Sequence, residues 1–345
     1  MYVYPVRGIR AGAQVDHLYL GMHGAMYDRE VLLAAKEDKA VVTTNKYHEM
    51  GCLRQVLNGS VVTITSLKPE RLRAKGQPES LSIELKDDPE SVGEFIEVER
   101  GYSGYQFNEK VNQWFSAAID KEVFAIRSPL RRRTRMNPKR LIFDRHDDLR
   151  KSFCSDAAFH VINKASVQEV EKRMKERHPD GLPNFFISTE QFRPNIVFEW
   201  PVPFAEDGFY EMRVGPILLR NSGPCVRCST IRMNLDTNVK VEEQEPYSTI
   251  ATFRTVPGMG VLFGMYYQMD VLETPMLYSQ TLPKMYGFPS MEQTLRLHPV
   301  ISRPGEGDDQ KYVLVKRDFG IHLRWDEKMD WTKKFAPMKD YSSGK

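Results

Sequence analysis

Long apolar runs are missing from this chain of 345 residues. No segment approaches the roughly 18–20 consecutive apolar residues that a membrane-spanning helix needs, so we expect no transmembrane segment. The chain has only four cysteines, which excludes a small disulfide-stapled scaffold. A large excess of one charge is missing too, since 49 basic residues face 46 acidic ones for a net charge of +3. This weak excess does not indicate a nucleic-acid partner.

An N-terminal address is also missing from the first residues. The segment MYVYPVRGIR has neither the apolar core of a secretion signal nor the Ser- and Arg-rich pattern of a presequence, and it alternates like a strand. We therefore expect that any address is absent, removed or internal. The composition, 41% hydrophobic and 28% charged, is that of a globular protein, and the length predicts about two domains.

Hydrophobic periodicity predicts an α+β fold that is mainly β. Val61–Leu67 is β-branched and follows the turn Asn58-Gly59, which predicts a strand. Amphipathic patterns predict helices over Asn108–Ile119 and Ser166–Arg177, the second with a capping box of Ser166 and Glu169. Many short strands with few helices predict a barrel-like sheet. Further strands are predicted at Met1–Val6, Val31–Ala35, Ala40–Thr44, Leu81–Leu85, Phe159–Ile162, Asn195–Glu199, Tyr210–Val214, Ile217–Leu219, Ile231–Leu235, Thr249–Arg254, Val261–Gln268, Tyr312–Val315 and Ile321–Arg324.

Composition shifts predict the domain boundaries. The segment Arg127–Arg140 has seven basic residues, two prolines and no acid, and we interpret it as a linker, with a groove for an anionic ligand as the alternative. The segment Glu273–Lys345 is aromatic-rich but shows no core of its own. The predicted units are a β-rich N-terminal domain (1–126), a basic linker (127–150), a β-barrel domain (151–272) and a C-terminal extension (273–345).

The most informative short motif is the C-x-x-C pair of Cys225 and Cys228. Such a pair can be a redox couple, half of a zinc site, or the source of one thiolate metal ligand. A zinc site would lack its remaining ligands, because Cys52 and Cys154 are isolated in the sequence and no histidine has a suitable spacing. Both flanks are strand-like, whereas a redox pair normally opens a helix. A single thiolate ligand at Cys228, beside Arg227, stays open, as does a purely structural cysteine pair.

This pair stands in a series of motifs that resembles the MOSC-domain family, whose namesake is the molybdenum cofactor sulfurase C-terminal domain. The similarity is greatest to the subgroup containing the mitochondrial amidoxime-reducing component. It covers roughly residues 2–270 and implies a β-rich N-terminal domain followed by a MOSC β-barrel domain, with the extension outside the family pattern. The motifs are Tyr4-Pro5-Val6-Arg7-Gly8, Tyr27-Asp28-Arg29, Asn163-Lys164-Ala165-Ser166-Val167, FRPNIV from Phe192 to Val197, Ala205-Glu206-Asp207, the C-x-R-C pair, and Asp236-Thr237-Asn238.

The resemblance implies a pterin-based molybdenum cofactor with Cys228 as the protein ligand to the metal. Arg7 and Arg29 match residues that contact the cofactor phosphate and pterin, and Arg193 and Asn195 match cofactor-facing residues. Guanidinium forks suit an anionic ligand. A surface arginine, a carbonyl cap and a turn residue are the structural alternatives for Arg29, Arg193 and Asn195.

Two further residues are implied near the metal. Arg227 adjoins the ligand cysteine and is expected in the cofactor site. Asp156 matches an acidic residue near the family's metal and would act as a catalytic residue that orients substrate or water, with a helix or turn cap as its alternative.

The sequence departs from the family at several cofactor anchors. Arg7-Gly8 replaces Lys-Ser, Glu30-Val31 lacks the usual tryptophan, and Asn45-Lys46 lacks an arginine. Ala157-Ala158 replaces hydroxyl residues, and Asn238 replaces a glycine. Loss of one anchor weakens cofactor binding and loss of several together can abolish it, because a buried phosphate needs its partners. A retained cofactor and a lost cofactor therefore both stay open.

Two functions of different classes follow from the resemblance. The first is an oxidoreductase that reduces N-hydroxylated substrates with electrons from a cytochrome b5-type donor. The second is a non-catalytic accessory subunit of a larger mitochondrial, respiratory-chain-type assembly, with a protein partner docked on the extension. The resemblance also implies a mitochondrial location, without a clear presequence, and pyridoxal phosphate binding.

Overall fold

The structure is a computed structural model that describes residues 1–21, 24–85, 91–129, 134–135, 150–154, 156–182, 187–214, 217–241, 243–269, 300–302, 311–316 and 321–325. Its α-helices are α1 (Pro69–Ala74), α2 (Glu109–Ile119), α3 (Lys164–Arg177) and α4 (Tyr247–Arg254). The strands before residue 130 are β1 (Tyr2–Val3), β2 (Ala13–Gln14), β3 (His17–Gly21), β4 (Gly24–Ala25), β5 (Val31–Ala35), β6 (Leu53–Asn58), β7 (Val61–Ser66), β8 (Ser80–Glu84), β9 (Phe95–Val98), β10 (Tyr102–Gln106) and β11 (Val123–Arg127).

The later strands include the long pair at the centre of the largest sheet. They are β12 (Thr134–Arg135), β13 (Arg150–Lys151), β14 (Phe159–Asn163), β15 (Ile196–Phe198), β16 (Phe209–Val214), β17 (Ile217–Val226), β18 (Thr255–Val256), β19 (Gly260–Met269), β20 (Val300–Ser302), β21 (Lys311–Lys316) and β22 (Ile321–Trp325). No helix in the described residues combines the length and the apolar character needed to cross a bilayer.

Sheets dominate the architecture, which confirms the predicted α+β, mainly β fold. The largest sheet has the order β15-β14-β19-β17-β16-β22, with β18 beside β19. Its pairs are antiparallel except for β14 and β15, which run parallel. The first half contributes a sheet of order β5-β11-β10-β9 and another of order β6-β7-β8.

Helix α2 follows its sequence pattern closely. The Asn108 side chain caps the first turn by accepting from the Val111 N–H at 3.1 Å, and Asp120 ends the helix in the left-handed conformation. The apolar face, which includes Trp114 and Phe115, is buried. A local cap and a 3.6-residue apolar period therefore suffice to specify this element.

The predicted capping box of α3 is wrong. The helix begins at Lys164, where the Asn163 side chain accepts from the Ala165 N–H at 3.2 Å. Ser166 Oγ instead donates to the buried Glu206 carboxylate at 2.8 Å and accepts from the Phe204 N–H at 2.7 Å. The Ser166 hydroxyl, predicted to cap the helix, therefore binds the distant Glu206 carboxylate instead.

Three predicted strands are also wrong. Thr249–Arg254 belongs to α4, because the buried Glu245 carboxylate accepts from the Thr249 N–H at 2.9 Å and its hydroxyl at 2.8 Å, which holds the first helical turn. Residues Ser229–Arg232 form a 3-10 turn where Ile231–Leu235 was predicted as a strand. Of Ala40–Thr44, only Val41 pairs, through a single bridge to Ala34.

One hydrophobic core crosses the predicted boundary at residue 126. It packs Val3 and Leu18 of the first part together with Phe159 and Met265 of the large sheet. Arg127, predicted to start the linker, is instead buried in β11 with its guanidinium 3.6 Å from the Glu30 carboxylate. Within the rest of the predicted linker, residues 130–133 and 136–149 lie outside the described residues, and β12 pairs with β13.

Two strands of the C-terminal extension pair with the body of the protein. β21 is antiparallel to β3, and β22 is antiparallel to β16. These strands confirm the strand predictions at Tyr312–Val315 and Ile321–Arg324. Most other aromatic residues of the extension lie outside the described residues.

Candidate functional site

A cavity of about 340 Å³ opens between the first part of the chain and the large sheet. Six of the seven residues that the sequence singled out line it, although they lie far apart along the chain. The lining residues from the first part are Arg7, Gly8, Arg29, Val42, Thr43, Thr44, Asn45 and Arg100, and those from the second are Phe153, Cys154, Ala157, His160, Phe192, Arg193, Asn195, Cys225, Val226, Arg227, Cys228, Thr230 and Tyr266.

Backbone hydrogen bonding fixes the position of Arg7, whose side chain lines the cavity. Its N–H donates to the Val31 carbonyl at 2.8 Å. The guanidinium carbon lies 4.9 Å from the centre of the Tyr102 ring, in cation–π geometry. Its Nη1 is buried without a hydrogen-bond partner.

Arg29 is more fully committed to protein contacts. Its Nη1 pairs with the Asp28 carboxylate at 2.5 Å and donates to Asn195 Oδ1 at 3.0 Å, while Nη2 lies 3.3 Å from the Arg193 carbonyl. Its backbone is left-handed, with φ of 50°, and is fixed by hydrogen bonds to Tyr4 and Phe153. Arg29 therefore contributes charge at a fixed position.

Arg193 and Asn195 follow the 3-10 turn that precedes β15. Burial, together with the nearby Arg29 charge, lowers the pKa of Arg193 to about 10, so that its guanidinium is still cationic at neutral pH. Its Nε is buried without a partner. The side chain of Asn195 hydrogen-bonds to other protein groups. Its Oδ1 accepts from Arg29 and from the His160 N–H, and its Nδ2 donates to the Tyr2 carbonyl at 3.3 Å.

The two cysteines of the C-x-x-C pair differ in environment. Cys225, near the end of β17, is buried, and its Sγ accepts from Arg227 Nη1 at 3.0 Å. Cys228 is exposed to the cavity, with its Sγ 2.7 Å from the Thr230 hydroxyl. The second guanidinium nitrogen of Arg227 donates to the Phe192 carbonyl, and its Nε is buried without a partner.

Asp156 is the one predicted site residue that does not line the cavity. It is half-buried, between the lining residues Cys154 and Ala157. Burial, then the Cys225 thiol and the Asp156 charge, raise the pKa of Tyr266 well above its usual value. Asp156 therefore lies close behind the cavity wall.

Cys154, His160 and Arg100 are among the lining residues that sequence reasoning missed. Cys154 was treated as isolated because it has no spaced partner in the sequence. His160 carried one available signal, since it is a polar residue inside the apolar strand Phe159–Ile162. Arg100 carried none, because it reaches the cavity from a 3-10 turn between β9 and β10.

The charge of the cavity is one-sided. Among the described lining residues are five arginines and no acidic side chain. Three buried guanidinium nitrogens of Arg7, Arg193 and Arg227 lack partners, although buried donors are normally hydrogen-bonded. Such a donor set fits an anion with several oxygen acceptors.

A metal in this cavity would rely on few protein ligands. Within the described residues, no group of three or more His, Cys, Asp or Glu side chains is arranged to hold a metal ion. The exposed Cys228 thiol offers one soft ligand. The donor set therefore fits a metal that arrives with its own sulfur-rich, anionic ligand, as a pterin-based molybdenum cofactor does.

Comparison with known proteins points in the same direction. A family model for the MOSC domain matches residues 148–277. The chain is 29% identical over 270 residues to molybdenum cofactor sulfurase of Solanum lycopersicum and 26% identical over 266 residues to that of Oryza sativa subsp. japonica, with 76% of this chain aligned in each case. These matches span about a third of the sulfurases, 32% and 31% of their lengths. The chain is also 20% identical to human mitochondrial amidoxime-reducing component 1 over 289 residues, 80% of this chain and 78% of that protein.

Proposed function

This chain contains a MOSC domain, and from that premise we propose that its arginine-lined cavity binds a pterin-based molybdenum cofactor. The observation that carries the proposal is the set of three buried, unpartnered guanidinium nitrogens around an exposed thiol. The names of two kinds of relative support it: the sulfurases act on the molybdenum cofactor, and the amidoxime-reducing component reduces amidoximes.

Each lining residue has a distinct proposed role. Arg7, Arg193 and Arg227 would donate to the phosphate and the pterin through the nitrogens that now lack partners. Cys228 would be the protein ligand to molybdenum, since its thiol is exposed whereas Cys225 is buried against Arg227. Asn195 and Asp28 would position Arg29 rather than contact the ligand.

For the reaction, we propose reduction of N-hydroxylated substrates. When bound, the cofactor supplies two-electron redox chemistry at its metal. Overall, two electrons and two protons are consumed, the N–O bond breaks and water leaves, with a cytochrome b5-type protein as the electron donor. The match over 78% of the amidoxime-reducing relative supports this function, because the sulfurases are matched over only about a third of their length.

Other predicted functions gain less support. The strands β21 and β22 of the extension pair with the protein's own sheets. The relatives give no support to an accessory subunit. Pyridoxal phosphate binding stays a prediction without support, because the described lining residues include no lysine to which it could be attached. Asp156 as a catalytic acid also stays a prediction.

The test is the metal and pterin content of the purified protein. Wild-type chain made in cells that synthesise the cofactor should carry molybdenum approaching one per chain, and Arg193→Gln should lose most of it. Arg73→Gln is the matched control, because Arg73 is 63% exposed on α1 and does not line the cavity. Equal molybdenum in all three proteins, or none in the wild type, would reject cofactor binding in this cavity.

For location, we propose the mitochondrion on the basis of the amidoxime-reducing relative's name. The names of the sulfurase relatives give no location, so the proposal depends on the amidoxime-reducing relative alone. Imaging of the full chain with a C-terminal tag should show co-localisation with a mitochondrial marker. A diffuse signal would contradict it.

A further inference from the structure

His160 is fixed rigidly in the cavity wall. It is the second residue of β14, and Asn195 holds its backbone on both sides. The His160 N–H donates to the Asn195 side-chain Oδ1 at 3.1 Å, and the His160 carbonyl accepts from the Asn195 backbone N–H at 2.7 Å. A glycine makes room for the ring, since a Cβ at Gly264 would lie 2.4 Å from His160 Nε2. The fold thus holds the imidazole in one place, only 4% exposed.

Both ring nitrogens of His160 face backbone carbonyl oxygens. Nδ1 lies 3.4 Å from the Arg193 carbonyl and Nε2 lies 3.4 Å from the Phe263 carbonyl. A neutral imidazole has one N–H, so one of these contacts sets a nitrogen lone pair against an oxygen. Only the imidazolium can donate to both carbonyls. The site is therefore shaped for the charged form.

The surrounding charges oppose that form. Burial, then the Arg227 charge and also that of Arg29, hold the pKa of His160 well below its usual value. The other ionisable groups that face this region are Arg193, whose carbonyl contacts Nδ1, and Tyr266, whose ring centre lies 5.6 Å from that of His160. Tyr266 in turn interacts with Cys225 and Asp156. Asp28, which pairs with Arg29, adds a second carboxylate, so the three guanidinium groups of Arg227, Arg29 and Arg193 outnumber two carboxylates.

We propose that His160 takes up one proton when an anion occupies the cavity, and that the imidazolium then donates to the carbonyl oxygens of Arg193 and Phe263. The inference rests on the proposed anion-binding function. An anion against Arg227 and Arg29 cancels the positive field that disfavours the imidazolium, and the two carbonyls are already in place to accept. His160 is a positioning residue that couples ligand binding to a proton.

The linkage has a definite sign. Since the anion raises the pKa of His160, protons are taken up at pH values between the free and the bound pKa. Anion affinity must then rise as pH falls through that window, by at most about tenfold per pH unit for one proton. Above the bound pKa the affinity no longer changes with pH.

The direct experiment is an NMR titration of the His160 ring nitrogens in the full chain, with and without sulfate, which keeps two charges throughout the range from pH 5 to 8. His160→Gln identifies the signal among the eight histidines. We expect sulfate to raise the pKa by at least one unit, and calorimetry of the wild type in buffers of different ionisation enthalpy to report proton uptake. Sulfate binding without a change in the His160 pKa would overturn the inference.

A second arm needs no ligand and separates this inference from the proposed function. Arg227→Gln removes the largest opposing charge and should raise the pKa of His160 in the ligand-free protein. Arg232→Gln, on the adjacent 3-10 turn but outside the cavity lining, is the matched control and should leave it unchanged. If sulfate fails to bind, the anion site is rejected, while a raised pKa in Arg227→Gln still upholds the charge coupling. An unchanged pKa in that variant overturns it.

Discussion

Cys225 and Cys228 show how two identical side chains three residues apart acquire different chemistry. The Cys225 thiol is enclosed and receives a guanidinium hydrogen bond, whereas the Cys228 thiol faces the cavity. Only an accessible thiolate can enter the coordination shell of a bound metal. The difference thus lies in exposure, which the C-x-x-C spacing does not reveal.

From this we predict that Cys228→Ser removes bound molybdenum, while Cys225→Ser keeps most of it. Serine preserves the size of each side chain but replaces the soft ligand with a poor one. Elemental analysis of the two purified variants beside the wild type measures the effect. Equal metal content in the two variants would contradict the assignment of Cys228 as the ligand.

Arg100 is the exposed cation of the cavity. Its side chain is 57% exposed and lies 3.7 Å from the Glu99 carboxylate, which also accepts from the Val41 N–H at 2.9 Å. The backbone of Arg100 is left-handed, with φ of 67°, which a non-glycine residue adopts at a cost. The turn thus holds a solvated charge at the mouth of the site.

Because solvated charges are screened by salt, we predict a salt-dependent contribution from Arg100. Arg100→Gln should weaken pyrophosphate binding by about twofold to fivefold in dilute buffer and much less in half-molar sodium chloride. Arg193→Gln, at a buried position, should lose affinity at both salt concentrations. Calorimetric titrations at the two salt concentrations give the comparison. A loss in Arg100→Gln that is unaffected by salt would argue for a direct, buried contact.

At the scale of elements, the start of α3 depends on a buried carboxyl group. Glu206 is fully buried and accepts from Ser166 Oγ, next to the helix cap at Asn163. Burial, with the neighbouring Asp207 charge, raises the pKa of Glu206 to about 7 from its usual 4.5. The folded protein therefore binds this proton more tightly than the unfolded chain does.

The sign of this shift predicts a loss of stability as pH rises from about 4.5 to about 7. Its full size is on the order of 3 kcal/mol at 1.36 kcal/mol per pKa unit. Glu206→Gln should flatten that part of the stability curve and be the more stable protein at pH 8. Urea unfolding at pH 5 and pH 8 measures both effects. Parallel pH profiles for the two proteins would show that Glu206 is not the titrating group.

At the scale of the whole molecule, the C-terminal extension completes sheets that begin elsewhere. In β21, Val313 pairs with Val300 on one side and with Leu20 of β3 on the other. This strand therefore joins segments from the two ends of the chain. A proline cannot donate a ladder hydrogen bond, and within sheets it is confined to edges and bulges.

We predict that Val313→Pro lowers the melting temperature by several degrees and speeds proteolytic cleavage around residues 311–325. Val313→Thr is the control, because threonine keeps the N–H and the β-branch. Limited proteolysis with mass spectrometry locates the cuts. Wild-type resistance in Val313→Pro would show that the pairing contributes little to holding the extension. Docking of the rest of the extension on a partner stays a prediction, for which faster cleavage of the isolated chain than of a native assembly is the test.

The sequence by itself determined the elements whose signals are local. Helix α2 carries its own cap and apolar stripe, and β7 follows an Asn-Gly turn with β-branched residues, so neither needs distant contacts. The motif residues Arg7, Arg193 and Cys228 were identifiable for a related reason, because their neighbours along the chain mark them.

Only the tertiary structure decided the rest. Ser166 contacts the buried Glu206, forty residues away along the chain, and does not cap its own helix. His160 reaches the cavity through the pairing of β14 with β19, and Arg100 reaches the same cavity from the turn before β10. These positions depend on contacts between residues tens to hundreds apart, and the free energy of such contacts comes from burial and charge in the folded protein, which no local pattern contains.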